Sequence, residues 1–360
     1  MSSNHSSPSH RRFDPFFGDW VIFAPIREER PDDYKKNKHF ECNSEACPFC
    51  VGHESQTPPS LWVGKASNGT LSTIQREHSG QVLCNEDWKV RVFRNRFPAI
   101  PTTQQSIHDK SQISAVSPTE IVGGHEVIVD TPIHTDRVSE TSINESRLLL
   151  RAIRDRIAWW NQGKNIRHVT VFKNCGASAG ASLHHSHCQL IASDHYPKQV
   201  QGLLNRSRLF TKKYGQCLLC NETYAELEDN SRTIFRGKSI AAYCPYASRF
   251  PMQVRIAPLD HQAQIEESSS DTLDETAMVV RRSVLALQQL FPNIAYNLVF
   301  SNLPPRKKKY ALSFHWSVDL CPRSSSIAGF EIATGNMINC VLPEKAAQMY
   351  LRQLNLNLID

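Results

Sequence analysis

One order of cysteines and histidines occurs twice in the chain, and this duplication limits its fold more than any other feature. Each half contains a Cys-x-x-Cys pair followed by two widely spaced histidines. The eight residues are Cys47, Cys50, His134 and His185 in the first half, and Cys217, Cys220, His261 and His315 in the second. Two thiolates and two imidazoles are a complete ligand set for tetrahedral Zn²⁺. The sequence therefore predicts two related halves, each with a structural zinc site.

The segments around these ligands repeat as well. Residues 127–134 (Val-Ile-Val-Asp-Thr-Pro-Ile-His) resemble residues 254–261 (Val-Arg-Ile-Ala-Pro-Leu-Asp-His), and residues 171–174 resemble residues 299–302. A lone Cys-x-x-Cys pair indicates redox chemistry as readily as a metal, and a lone strand histidine is typical of a core. Finding both patterns twice in one order favours zinc, although Cys244 and Cys321 are competing thiols near the second site.

Length and composition limit the domain organisation, the location and the partners of the chain. A chain of 360 residues exceeds one small core, and we expect a disordered tail (1–12), a first half (13–198) and a second half (199–360). No apolar run is long enough to cross a membrane, and 11 cysteines without an export signal favour a reducing, cytoplasmic location. The net charge of +6 comes from scattered basic residues, so no nucleic-acid or membrane partner is predicted.

Hydrophobic periodicity predicts both helices and strands. Strands are expected at residues 20–23, 89–93, 126–129, 168–172 and 189–192. Helices are expected at about 143–161, 273–291 and 343–354. Two polar stretches, 52–85 and 101–118, are predicted to be surface loops or partly ordered insertions, and no chemistry is assigned to them.

The two halves differ immediately after the fourth zinc ligand. The first reads His-Ser-His-Cys-Gln over residues 185–189, whereas the second reads His-Trp-Ser-Val-Asp over residues 315–319. Side chains two residues apart on a strand share a face, so His185, His187 and Gln189 lie side by side. Zinc binding accounts for His185 and leaves His187 unexplained. We interpret His187 as a nucleophile that attacks phosphorus and forms a covalent nucleotide intermediate.

Further residues near His187 fit phosphate chemistry. Gln189 can donate an N–H group to a phosphate oxygen but cannot act as an acid, which favours transfer between phosphates over hydrolysis. The small-residue loop 174–182 lets backbone N–H groups approach a diphosphate, with Asn174 and Ser182 adding polar contacts. Arg27 and Arg30 can pair with phosphate oxygens, although alone they are typical surface charges.

At these residues the chain resembles the galactose-1-phosphate uridylyltransferase family of the histidine triad superfamily. The resemblance covers nearly the whole chain, through residues 19–25, 47–50, 95–99, 132–134, 174–189 and 329–332. It implies an α+β fold of two duplicated histidine-triad-like halves, with antiparallel sheets and flanking helices. It also implies that His187 carries the nucleotidyl group and that the chain can form a homodimer. The substrate-binding residues that it implies are Arg27, Arg30, Asn95, Asn174, Gly176, Ser182, Gln189, Phe330 and Glu331.

One departure from the family pattern bears on the substrate. Ser186 stands where typical uridylyltransferases have proline, and this form, with a second Cys-x-x-Cys set, is similar to the ADP-glucose phosphorylase branch. We therefore favour transfer of AMP from ADP-glucose to inorganic phosphate, giving glucose 1-phosphate and ADP. The alternative is uridylyl transfer between UDP-glucose and a hexose 1-phosphate in galactose metabolism.

Two other classes of function remain open. One is a histidine-triad nucleotide hydrolase, against which Gln189 counts. The other is a non-catalytic zinc-binding module, which zinc binding without turnover of nucleotide sugars would identify.

Overall fold

The computed structural model describes residues 8–29, 46–67, 70–75, 87–102 and 121–356. The strands in these ranges are β1 (His10–Asp14), β2 (Asp19–Phe23), β3 (Ser60–Ser67), β4 (Thr70–Gln75), β5 (Val90–Arg94), β6 (Gly123–Val129), β7 (His168–Cys175), β8 (His187–Ser193), β9 (Thr233–Arg236), β10 (Ile240–Tyr243), β11 (Val254–Pro258), β12 (Tyr296–Ser301), β13 (Ser317–Pro322) and β14 (Met337–Asn339). The helices are α1 (Ile143–Asn161), α2 (Lys198–Tyr214), α3 (Leu218–Asp229), α4 (Ser270–Leu290), α5 (Gly329–Thr334) and α6 (Pro343–Leu356).

Eleven of these strands form one continuous sheet, in the order β4-β3-β5-β6-β8-β7-β12-β13-β11-β10-β9. All neighbouring pairs in it are antiparallel. Strands β3 to β8 belong to the first half of the sequence and β9 to β13 to the second, and the halves meet where β7 pairs with β12. The predicted α+β class with antiparallel strands is confirmed.

Helices α1 and α4 pack side by side against one face of this sheet. The side chain of Ser142 accepts a hydrogen bond from the backbone N–H of Glu145, whose carboxylate accepts one from the N–H of Ser142. This capping box starts α1, and the buried Leu148, Ile153 and Ile157 then follow at helical spacing. The face beneath the helices holds the main apolar core together with buried ion pairs such as Arg156–Glu126, whereas His187 and Gln189 lie on the opposite face. No helix in the described residues is long and apolar enough to cross a membrane.

The N-terminal arm covers the second half of the sheet. Strands β1 and β2 form a three-stranded sheet with β14, in which β14 runs parallel to β2. The turn after β1 places the buried Phe16 ring against the Arg255 guanidinium, at 4.1 Å. The Asp14 carboxylate accepts hydrogen bonds from the backbone N–H groups of Phe16 and Phe17. The arm therefore fills the polar face of the second half.

The predicted strands and helices are confirmed, with ends that differ by a few residues. Two predictions are wrong. Residues 10–12 lie in β1 rather than in a tail, because β1 pairs along its whole length with β2. The stretch 52–85 contains the paired strands β3 and β4, and Trp62 of β3 is completely buried. The polar residues in this stretch include those of β4, a strand that is mostly exposed. Residues 103–120, most of the second polar stretch, lie outside the described part, and the division at residue 198 stays a prediction.

Candidate active site

Strand β8 lies between β6 and β7 and presents His187 on the face opposite α1 and α4. His187 stands across from Val129 of β6, and Gln189 stands across from Val127 of β6 and Phe172 of β7. The alternate residues Cys188, Leu190 and Ala192 are buried in the core under the helices. The strand therefore divides into a core face and a polar face, as its alternation predicts.

The ring of His187 is held by a backbone acceptor. Its Nδ1 lies 2.8 Å from the carbonyl oxygen of His185, which can only accept, so Nδ1 carries the hydrogen and Nε2 keeps a lone pair. The side chain is buried, and burial lowers the pKa of His187 despite this hydrogen bond and the charge of Asp130. The ring is therefore neutral, with Nε2 able to act as a nucleophile.

Phe49, inside the first Cys-x-x-Cys loop, contacts both histidines of the strand. Its ring centroid lies 5.3 Å from that of His187 and 6.0 Å from that of His185, with edge-on geometry in both cases. The loop that carries Cys47 and Cys50 thus packs directly on the proposed nucleophile. Sequence reasoning assigned Phe49 no role, although its position between two ligands was the available signal.

The first ligand set converges in space. The ligand atoms of Cys47, Cys50, His134 and His185 all lie within 4.8 Å of one another. Nδ1 of His134 is 3.2 Å and Nδ1 of His185 is 3.6 Å from the Cys50 sulfur. The opposite ring nitrogen of His185 donates to the Thr131 carbonyl oxygen at 2.9 Å, an arrangement typical of metal-bound histidines. Burial also lowers the pKa of His185 to about 4, which keeps the imidazole neutral for binding.

The second ligand set converges in the same way. Cys217, Cys220, His261 and His315 also lie with their ligand atoms within 4.8 Å of one another. Nδ1 of His261 is 3.3 Å and Nδ1 of His315 is 3.2 Å from the Cys220 sulfur. Nε2 of His261 donates to the carbonyl oxygen of Ala311 at 2.8 Å. Both groups are therefore able to hold a metal ion, as the repeated ligand order predicts.

Gln189 is linked to a residue that sequence reasoning missed. Its Oε1 lies 2.8 Å from Nε2 of His125, on the neighbouring strand β6. Nδ1 of the same ring accepts a hydrogen bond from the backbone N–H of Ala99, at 3.1 Å. In the sequence His125 stands just before the predicted strand 126–129, and its contact with Gln189 depends on the pairing of β6 with β8.

The loop after β7 is fixed by a residue from the second half. The side-chain amide of Asn297 on β12 donates to Asn174 Oδ1 and to the Ala179 carbonyl oxygen, each at 2.9 Å. Gly176 has a φ of 82°, and a Cβ at this position would lie 2.8 Å from the Ala295 side chain, so only glycine fits. Ser182 is exposed near the end of the loop. The pairing of β7 with β12 thus lets one half shape the other half's loop.

A buried ion pair supports the His-x-His segment from the core side. The Lys173 ammonium contacts the Asp130 carboxylate and the hydroxyl of Ser186, and Ser186 donates to Asp130 at 3.2 Å. Burial acts to lower the pKa of Lys173, but the Asp130 carboxylate outweighs it and holds that pKa above its usual value. Ser186 therefore has a structural reason to be serine, since proline could make neither contact.

Other residues implied by the resemblance do not converge on His187 through hydrogen bonds. Arg27 is exposed, and Arg30 lies outside the described residues. Asn95 Oδ1 accepts from the Phe97 backbone N–H at 2.8 Å, and its Nδ2 lies 3.2 Å from the His125 ring. Phe330 is 41% exposed on α5, while Glu331 accepts from the backbone N–H of Ala328 in its own helix. Their roles stay predictions.

The chain is similar to several known proteins over nearly its full length. A family model described as "Domain of unknown function (DUF4921)" matches residues 89–357. ADP-glucose phosphorylase of Arabidopsis thaliana is 28% identical over 99% of this chain and 95% of that protein. Galactose-1-phosphate uridylyltransferase of Thermotoga maritima is 24% identical over 94% and 96%. A crystal structure of the Arabidopsis thaliana ADP-glucose phosphorylase with bound ADP-glucose superposes with a TM-score of 0.77 at 26% identity, covering 96% of this chain and 99% of that one.

Proposed function

The chain belongs to the DUF4921 family, and from this premise we propose that it is a nucleotidyltransferase that moves a nucleoside monophosphate from a nucleotide sugar to a phosphate acceptor. The observation that carries the proposal is the His187 ring, whose Nδ1–H is fixed on a backbone carbonyl while Nε2 keeps its lone pair. The full-length similarity to ADP-glucose phosphorylase and to galactose-1-phosphate uridylyltransferase supports the same reaction class.

The reaction proceeds in two displacements. Nε2 of His187 attacks the α-phosphorus, a P–N bond forms, and the P–O bond to the sugar phosphate breaks, so that the hexose 1-phosphate leaves. An oxygen of the acceptor phosphate then attacks the same phosphorus and breaks the P–N bond, which restores the imidazole. The carbonyl of His185 stabilises the positive charge that the ring carries in the intermediate. Neither leaving group requires a proton from the enzyme.

Gln189 and the 174–182 loop supply the groups that bind phosphate oxygens. The side-chain N–H of Gln189 is proposed to donate to a non-bridging oxygen, where negative charge increases in the transition state. Asn174, Gly176 and Ser182 belong to the neighbouring loop, which Asn297 holds in place. Gln189 cannot deliver a proton to a leaving amine or activate water, which favours transfer over the hydrolase alternative.

We propose ADP-glucose as donor and inorganic phosphate as acceptor. The relative with 28% identity over nearly the whole chain is an ADP-glucose phosphorylase, and ADP-glucose is bound in its crystal structure. Ser186, paired with Asp130 and Lys173, is also the residue by which the sequence departs from the uridylyltransferase pattern. UDP-glucose with galactose 1-phosphate is the second candidate, which the uridylyltransferase relative supports.

We propose Zn²⁺ as the ion of both Cys/His groups. Two thiols and two imidazoles are a donor set that zinc prefers, and the backbone acceptors on His185 and His261 orient those rings toward the sulfur atoms. When bound, the metal supplies a cross-link between a loop and the sheet. In the first half that loop carries Phe49, and so it also limits the movement of His187.

Detection of the covalent intermediate tests this proposal. Zinc-loaded protein is incubated with ADP-glucose or UDP-glucose labelled in the α-phosphate and quenched in base, and the labelled peptide is identified by mass spectrometry. We expect a base-stable, acid-labile adduct on His187, formed faster with ADP-glucose, and discharge of the label by inorganic phosphate. A zinc-loaded protein that forms no adduct with either donor contradicts the transfer mechanism, whereas an adduct discharged only by galactose 1-phosphate would reverse the choice of acceptor.

A further inference from the structure

The backbone N–H of Ala99 selects the tautomer of the His125 ring. The backbone N–H of Ala99 points at Nδ1, so Nδ1 is an acceptor and carries no hydrogen. In the neutral ring the hydrogen is therefore on Nε2, which lies 2.8 Å from Gln189 Oε1. Burial lowers the pKa of His125, so the neutral form prevails near pH 7. His125 is thus a donor toward Gln189.

This donor determines which way the Gln189 amide faces. With Oε1 accepting from His125, the NH₂ group of Gln189 must lie on the other side of the amide. If the amide were reversed, the NH₂ group would face the Nε2–H of His125, and two donors would be opposed. No described residue accepts a hydrogen bond from Gln189 Nε2, so this group is left to donate elsewhere. Gln189 and His187 share the polar face of β8.

We propose that His125 is a positioning residue that keeps the Gln189 amide turned with its NH₂ group toward the transferred phosphate. The inference rests on the proposed function, because it gives His125 no contact with substrate and no effect except through Gln189. The NH₂ group of Asn95 also lies beside the His125 ring, 3.4 Å from Nδ1 and 3.2 Å from Nε2, and with the hydrogen on Nε2 it is able to donate only to Nδ1. A fixed amide pays no reorientation cost in the transition state, which is the basis of electrostatic preorganisation.

A double-mutant cycle tests the role directly. We compare His125→Phe, Gln189→Ala and the double variant in the single-turnover rate of adduct formation from ADP-glucose. We expect His125→Phe to slow this step about 10- to 100-fold with little change in KM, and Gln189→Ala to slow it about 100- to 1,000-fold. The double variant should be no slower than Gln189→Ala alone, because His125 acts only through that amide. Multiplying losses would overturn the proposal.

Two further variants separate positioning from general damage. His125→Gln keeps a donor and an acceptor, and should recover most of the rate lost in His125→Phe. His168→Phe is the matched control, since His168 is a similarly buried histidine at the far end of β7, 8% exposed against 6% for His125. We expect this control to keep the wild-type rate. Equal losses in His168→Phe and His125→Phe would overturn the proposal.

A measurement on the wild-type protein does not depend on any variant folding. The ¹⁵N spectrum of labelled imidazole rings distinguishes the two neutral tautomers, and His125 should be protonated on Nε2. Protonation on Nδ1 would overturn the proposal. If wild-type protein forms no adduct, the proposed function fails and takes this role with it, whereas an active wild type with an unaffected His125→Phe variant rejects the role alone.

Discussion

The two halves of the sheet pair their strands in the same order but carry different residues on their polar faces. His187 begins β8 two residues after a zinc-ligand candidate, and Ser317 begins β13 two residues after another. In the first half the next outward residue is Gln189, an amide whose NH₂ group is available. In the second it is Asp319, whose carboxylate is bound by Arg255 at 3.0 Å. One face has neutral groups suited to a substrate, and the other is occupied by an ion pair.

The polar face of the second half is also covered by other side chains. Arg255 also contacts Glu222 at 2.8 Å, and the Phe16 ring of the N-terminal arm covers its guanidinium. The Cys/His groups and the sheet are therefore what the halves share, whereas the proposed nucleophile, His187, belongs to the first half. This difference supports our proposal that the Cys/His groups stabilise the fold in both halves and that only the first half carries the reactive residue.

The largest expected effect concerns the residue at which the halves differ. His187→Gly removes the nucleophile and should lower transfer by about 10⁴-fold or more, with loss of the adduct but full zinc content. Ser317→Ala at the matching position should leave activity unchanged and stability within about 0.5 kcal/mol, since its buried hydroxyl has no hydrogen-bond partner among the described residues. Adduct labelling and urea unfolding measure both. Full transfer by His187→Gly would show that our assignment of the nucleophile is wrong.

Removal of a metal ligand should separate stability from activity. His185→Ala and His315→Ala should each lose one equivalent of zinc by elemental analysis and destabilise the protein by about 5 kcal/mol or more. Only His185→Ala should also abolish adduct formation in the protein that stays folded. The reason is that His185 shares its proposed metal with the Cys47–Cys50 loop, in which Phe49 packs against His187. Equal loss of activity in both variants would contradict the division of roles between the halves.

Buried ion pairs in the two halves offer a third comparison. Lys173→Met leaves Asp130 buried without its partner, and Arg255→Met does the same to Asp319, so each should cost about 3 to 5 kcal/mol in urea unfolding. The Lys173 ammonium also donates to the hydroxyl of Ser186, which lies between His185 and His187. We therefore expect Lys173→Met to lower kcat as well. An unchanged kcat in Lys173→Met would show that the ion pair supports only the fold.

The smallest expected effect is a pH dependence in the N-terminal arm. Burial raises the pKa of Asp14 from 3.8 to about 6, while Arg255 and Arg249 oppose the rise and Glu222 adds to it. Between about pH 4 and pH 6 the folded state thus binds more protons at Asp14 than the unfolded state, and raising the pH through this window lowers stability. The contribution is about 2 to 3 kcal/mol. Asp14→Asn should lack it, and parallel pH profiles of the two proteins would contradict the assignment.

Local patterns in the sequence predicted much of this structure. The apolar spacing of Leu148, Ile153 and Ile157 was sufficient to place α1, because helix formation depends on neighbours in sequence. The two ligand sets were also visible, since a repeated order of residue types needs no coordinates to be recognised. Helices α2, α3 and α5 were missed.

Contacts between distant residues could not be predicted in the same way. Nothing in the sequence links His125 to Gln189, Asn297 to Asn174, or Phe16 to Arg255, because each contact depends on which strands pair and in which register. The interpretation of residues 52–85 as a loop failed for the same reason. Trp62 is buried only because β3 pairs with β5 and packs beneath α1.

The residue types that the proposed chemistry uses are visible in the sequence: two Cys/His sets, and His187 beside the first set, which has no counterpart in the second. The tertiary structure decided how each group is used. In this structure the His187 Nδ1–H donates to a backbone carbonyl, and His125 contacts the Gln189 amide. Arg255 and Phe16 occupy the matching face of the second half. The physical reason is that a residue's type sets which bonds it is able to make, whereas burial and the register of paired strands select the partners that it meets.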